Sequence, residues 1–112
     1  MDFFENISPL DHRYYLSNQD LAKALREYLS EEAVIKSQAL AELALVKALN
    51  KAGLCSPQVV AEVSEAVNKI TPAKVYEEEE KTKHNIRALV NCLRENVSDQ
   101  AKPWLHFTAT SV

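Results

Sequence analysis

A chain of 112 residues with one glycine, Gly53, has few places where its backbone can fold back sharply. Sheets need turn residues roughly every 8–12 positions, and glycine is the usual source of the backbone angles those turns demand. Average usage would place about 7% glycine in a chain of this kind. The four prolines do not make up the shortage. What fills the space is Ala, Leu, Glu and Lys, the residues that lose least on entering a helix. The chain is predicted to be all-α and the size of one domain.

Charge and cysteine use narrow the function classes. Sixteen acidic residues against thirteen basic ones give a net charge of −3. A nucleic-acid partner would call for a basic patch instead. No apolar run approaches the ~20 residues of a membrane span, so no membrane partner is expected. The opening MDFFENISP lacks the basic-then-apolar layout of a secretory signal. Cys55 and Cys92 have no CxxC or Cys/His ligand spacing, which fits reduced thiols in a cytoplasmic protein. The histidines have no ligand spacing either, and there is no HExxH. Neither a metal nor a cofactor is expected.

Residues 1–19, MDFFENISPLDHRYYLSNQ, contain Pro9 and several turn formers and read as an irregular arm. Residues 20–112 read as the helical part of the domain. Asp20 or Asn18 can cap a long helix over about 21–52, closed by Gly53 just beyond its end. Ser56-Pro57 and Thr71-Pro72 are each a capping residue followed by proline at the first helical position, and they open two further helices. A break near Lys83-His84-Asn85 allows another over NIRALVNCLREN, with Asn85 available as its cap. The chain after it reads as non-helical up to Thr110. Within the long helix, ALAELALVKAL (39–49) is apolar around most of its circumference, interrupted by Glu42 and Lys47. Such a stretch has to be covered on several sides. The helix would also run about 45 Å at 1.5 Å per residue, against a radius of gyration of ~13 Å for a compact chain of this length. Self-association, or a loosely folded chain, is therefore expected.

The three histidines all fall where helical patterning fails. His12 adjoins Arg13-Tyr14-Tyr15, a cation beside phenol donors that suits a phosphate or carboxylate. His84 follows Thr82-Lys83 at a possible helix start, where backbone N–H groups favour anions. His106 leads into Thr110 and Ser111, both good helix caps. Each cluster pairs an anion-friendly group with a side chain able to move a proton near neutral pH. Taken singly, each histidine reads more readily as an ordinary loop residue. The run EEEE at 77–80 reads as a solvated face.

Three segments carry a resemblance. ISPLDHRYY resembles the SPxDGRY opening of adenylosuccinate lyases, members of the fumarase/aspartase superfamily. EKTKHNIRALV is similar to their ExxTxHDV segment, and WLHFTATSV to their [FV]HFGxTSxD segment. The order and approximate separations agree. The resemblance implies the N-terminal domain of a larger all-α lyase, with the central and C-terminal domains lying outside residues 1–112. It implies cleavage of adenylosuccinate to AMP and fumarate by β-elimination, and the parallel cleavage of a succinyl carboxamide ribotide in purine biosynthesis. It further implies a homotetramer. By the same resemblance Arg13 and Tyr14 hold the nucleotide phosphate, and Lys83, His84 and Asn85 line the substrate site. His84 would play a supporting catalytic part, His106 would lie beside the phosphate, and Thr110 and Ser111 would hydrogen-bond substrate. The main acid and base of the family lie outside this chain, so the 112 residues alone are expected to be inactive. Three positions depart from the pattern: His12 and Thr108 stand where the family has glycine, and Asn85 replaces an aspartate. The alternatives are another lyase of the superfamily, such as argininosuccinate lyase, or a non-enzymatic helical interaction module.

Overall fold

The computed structural model describes residues 3–5 and 7–110. Among them there are five α-helices and no strand: α1 (Gln19–Leu29), α2 (Glu31–Lys51), α3 (Pro57–Lys69), α4 (Pro72–Thr82) and α5 (Asn85–Arg94). The chain divides into two compact units, residues 1–34 and 35–112.

In the first unit the expected irregular arm is helical in part. A short 3₁₀ turn covers Phe3–Glu5, and Asp11–Leu16 form a π-helical stretch. The N–H of Ser17 reaches back five residues to the carbonyl of His12 at 3.0 Å, the wide ring that defines a π-turn. Asn18, rather than Asp20, caps α1, its side chain accepting the N–H of Leu21 at 3.2 Å.

The single helix predicted over 21–52 is two helices. Ser30 takes an extended ψ of 158°, which ends α1. Its hydroxyl then accepts the N–H of Ala33 at 3.1 Å and opens α2, with Glu31 and Glu32 in the first turn. A serine that offers the backbone a hydrogen-bonding alternative, followed by two acids at a helix N-terminus, is a local stop-and-start signal. Apolar periodicity running across it conceals it.

The far end of α2 follows the glycine argument. Gly53 has φ +82°, the Leu54 N–H bonds the Leu49 carbonyl at 2.9 Å, and the Gly53 N–H bonds the Asn50 carbonyl at 2.9 Å. That pair of bonds is a Schellman motif. Ser56 and Thr71 cap α3 and α4 by accepting the N–H of Val59 and Lys74.

The core of the second unit centres on α5. Ala88, Leu89, Val90 and Leu93 are almost fully enclosed, and α5 packs against α4 and α3. Val46 and Ala39 of α2 and Val59, Val63 and Ala66 of α3 join the same cluster. The stripe 39–49 is divided in a way its composition does not show. Ala39, Leu43, Val46 and Leu49 face the core together with Glu42, whereas Leu40, Ala41, Ala44 and Ala48 stay exposed. Beyond α5 the chain is held by side chains rather than by helix. The N–H of Ser98 bonds Glu62 of α3 at 2.8 Å, Lys102–Trp104 form a 3₁₀ turn, and Ala101 and Leu105 are buried. These anchors deliver His106 to α2.

Candidate active site

Two side-chain clusters of the second unit meet at one groove of about 420 Å³. Gln38 and Glu42 of α2, Asn85 at the start of α5, and His106 and Thr110 from the final segment supply polar atoms. Leu45, Ile86 and Leu89 give it an apolar floor. The lining comes entirely from residues 35–112. Asn85, His106 and Thr110, three of the residues picked out in the sequence, are thus neighbours. Lys83 and His84 precede Asn85 directly and are exposed. Arg13 and Tyr14 lie on the π-helical stretch of the first unit, both exposed, Tyr14 at 59%. Ser111 falls outside the described residues.

The turn bearing His84 is shaped by its neighbours. Lys83 closes α4 in the left-handed region at φ 55°, its N–H bonding the Glu79 carbonyl at 2.7 Å. The Thr82 hydroxyl then brackets the next residue, accepting the His84 N–H at 3.2 Å and donating to the His84 carbonyl at 3.0 Å. The imidazole of His84 caps α5, Nδ1 accepting the Arg87 N–H at 3.1 Å. Asn85 is therefore the first helical residue and not the cap. With Nδ1 accepting, a proton on neutral His84 sits on Nε2.

His106 is held differently. Its Nδ1 lies 2.6 Å from Oε1 of Glu42, and its backbone N–H donates to Oε2 of the same carboxyl group at 2.9 Å. Both side chains are largely shielded, at 15% and 9% exposure. Among the described residues Glu42 is also the sole buried polar or charged one. A shielded carboxyl group has to be hydrogen-bonded to be tolerated, and His106 meets that need twice. On either side of it in the chain, Trp104 and Phe107 pack as a tilted aromatic pair with ring centroids 5.2 Å apart. The two cysteines are both buried, and burial with nearby Glu95 and Glu78 pushes the Cys92 thiol up. A thiol kept protonated is a poor nucleophile. No group of three or more His, Cys, Asp or Glu residues able to hold a metal occurs among the described residues.

The departures from the family pattern have distinct backbone consequences. His106 and Thr108 sit at φ +60° and +61°, the left-handed region. Histidine tolerates it better than most residues, whereas β-branched threonine does not. Thr108 thus keeps the conformation for which glycine suits that place. His12 has no positive φ, so the other glycine replacement carries no such strain. Thr108→Gly is expected to raise stability by roughly 0.5–1 kcal/mol, the left-handed penalty less the freedom glycine adds to the unfolded chain. A thermal melt measures it, and a lowered Tm would overturn the strain argument.

Sequence reasoning passed over two positioning residues. Thr82 was visible only as a neighbour of His84. Glu42 was read as an interruption in an apolar stripe. Its one local signal is a carboxylate in a stretch whose periodicity gives it nowhere polar to go.

The chain is 33% identical over 105 residues to the adenylosuccinate lyase of Archaeoglobus fulgidus, covering 94% of this chain. It is 28% identical over 107 residues to the adenylosuccinate lyase of Methanocaldococcus jannaschii. It spans about a fifth of their length, 22% in each case. No family model and no solved structure matches it. Across nearly its whole length the chain is homologous to adenylosuccinate lyases, as the three segments led one to expect.

Proposed function

We propose that the chain forms part of an adenylosuccinate lyase that releases fumarate from adenylosuccinate, leaving AMP, and that cleaves the matching succinyl carboxamide ribotide of purine biosynthesis. The observation that carries this reading is the homology along 94% of the chain. It is supported by the gathering of Asn85, His106 and Thr110, from two of the three resembling segments, at one groove. β-Elimination takes a proton from carbon beside a carboxylate while an acid protonates the departing nitrogen. The residues here would prepare that step rather than perform it. Arg13 and Tyr14 would grip the nucleotide phosphate, and Lys83, His84, Asn85, Thr110 and Ser111 would orient the carboxylates and base. Donors fixed before reaction lower the barrier most. Asn85 is uncharged, so its part is limited to hydrogen bonding. The central acid and base would come from chain beyond these residues.

The same reading makes the enzyme a cytoplasmic homotetramer. Leu40, 46% exposed beside Ala41 and Ala44 on the outer side of α2, is a surface suited to self-association. No described helix is long and apolar enough to cross a membrane.

The test is fumarate release from adenylosuccinate by the complete enzyme, with Arg13→Lys beside it. A bidentate, charge-assisted grip on phosphate is something lysine cannot reproduce. The expected loss is about 1.5–3 kcal/mol, tenfold or more in affinity. The phosphate is remote from the breaking bond, so KM should rise with kcat less affected. Absence of fumarate release by the unaltered enzyme would sink the reading. An unchanged KM with a lowered Tm would remove Arg13 from the site.

A further inference from the structure

We infer that Glu42 is a positioning residue that fixes the tautomer of His106. A backbone N–H can only donate, so Oε2 of Glu42 must accept from His106 N at 2.9 Å. The other oxygen of an ionised carboxyl group is likewise an acceptor and nothing else. Its 2.6 Å partner Nδ1 must then carry the hydrogen. Neutral His106 is therefore an Nδ1–H imidazole with the lone pair on Nε2, which has no hydrogen-bond partner among the described residues. The tautomer is set by the bond the other ring nitrogen makes.

This has a consequence for the groove that His106 lines. In its neutral form His106 offers an acceptor at Nε2, complementary to a ligand hydroxyl, amine or protonated acid. An anionic oxygen could be bound at Nε2 only after that nitrogen took up a proton, leaving an imidazolium paired with Glu42. The contrast with His84 is direct, since its Nδ1 accepts and its hydrogen lies on Nε2. The two histidines thus offer opposite polarities at their Nε2 atoms. The tautomer rests on the geometry with Glu42 as a carboxylate; its importance for turnover rests on the proposed lyase reading.

Glu42→Gln separates positioning from packing because it keeps the shape and removes one acceptor. The glutamine oxygen has to take the backbone N–H, since that group cannot reverse. Its amide NH₂ then faces Nδ1, which can accept only by giving up its hydrogen. The tautomer should switch to Nε2–H. Long-range ¹H–¹⁵N spectra of the histidine-labelled chain, at a pH where the imidazoles are neutral, read this directly, with His106→Gln identifying the signals. The expected result is an Nδ1–H pattern in the unaltered chain and an Nε2–H pattern in Glu42→Gln. An Nε2–H pattern in the unaltered chain overturns the inference, whether or not the variant folds. So does an Nδ1–H pattern retained by a folded Glu42→Gln chain. In the complete enzyme the switched tautomer should lower kcat/KM by roughly 10- to 100-fold, the scale seen when the partner that orients a metal-bound histidine is lost. A switched tautomer with unchanged kcat/KM would leave the assignment of Glu42 standing and overturn the placing of substrate at His106.

Discussion

Glu42→Ala is expected to destabilise residues 35–112 by about 2–5 kcal/mol, more than any surface substitution in the chain. Two donors on His106 lose their acceptor at once, and each group left unsatisfied away from water costs about 1–3 kcal/mol. Glu42 is 7% exposed, so little solvent is at hand to replace it. A native domain holds only about 5–15 kcal/mol in all. For a chain of this size each kcal/mol corresponds to roughly 4–8 °C in Tm, so a fall of about 10 °C or more is expected. Glu42→Gln keeps volume and one acceptor and should fall well short of that loss. Equal melting temperatures for Glu42→Ala and the unaltered chain would mean that the contact with His106 contributes nothing to holding the final segment.

Leu89→Ala should cost a similar amount by an unrelated mechanism. Leu89 is 1% exposed at the centre of α5 and forms part of the groove floor. Truncation loses the transfer energy of the removed carbons and leaves a cavity, together about 2–5 kcal/mol. Leu40→Ala, on the outer side of α2 at 46% exposure, should change stability by no more than ~0.5 kcal/mol in a monomer. Urea titration distinguishes the two: the midpoint falls for Leu89→Ala at an unchanged m-value. A loss at Leu40 equal to that at Leu89 would mean that the outer side of α2 is buried in solution, as the proposed self-association requires.

Much of this protein could be read locally because helix ends are local objects. Ser56-Pro57, Thr71-Pro72 and Gly53 each act within about four residues, and the helices start and stop where they stand. The break at Lys83-His84-Asn85 was legible for the same reason, although the choice of His84 over Asn85 as the cap depends on a side-chain rotamer. Ser30 was equally local and was overridden by apolar periodicity running through it. The three resembling segments were legible as motifs.

Glu42 marks the limit of such reading. Its partner lies 64 residues further along the chain, and no period or spacing connects them. They meet because Ala101 and Leu105 bury themselves in the core that α2 shares with α3 and α5. Composition and capping therefore determined that the chain is helical and where most helices end. Which polar residue of α2 turns inward, and which histidine it holds, was decided by packing, because a hydrogen bond between distant segments exists only after the core between them has formed.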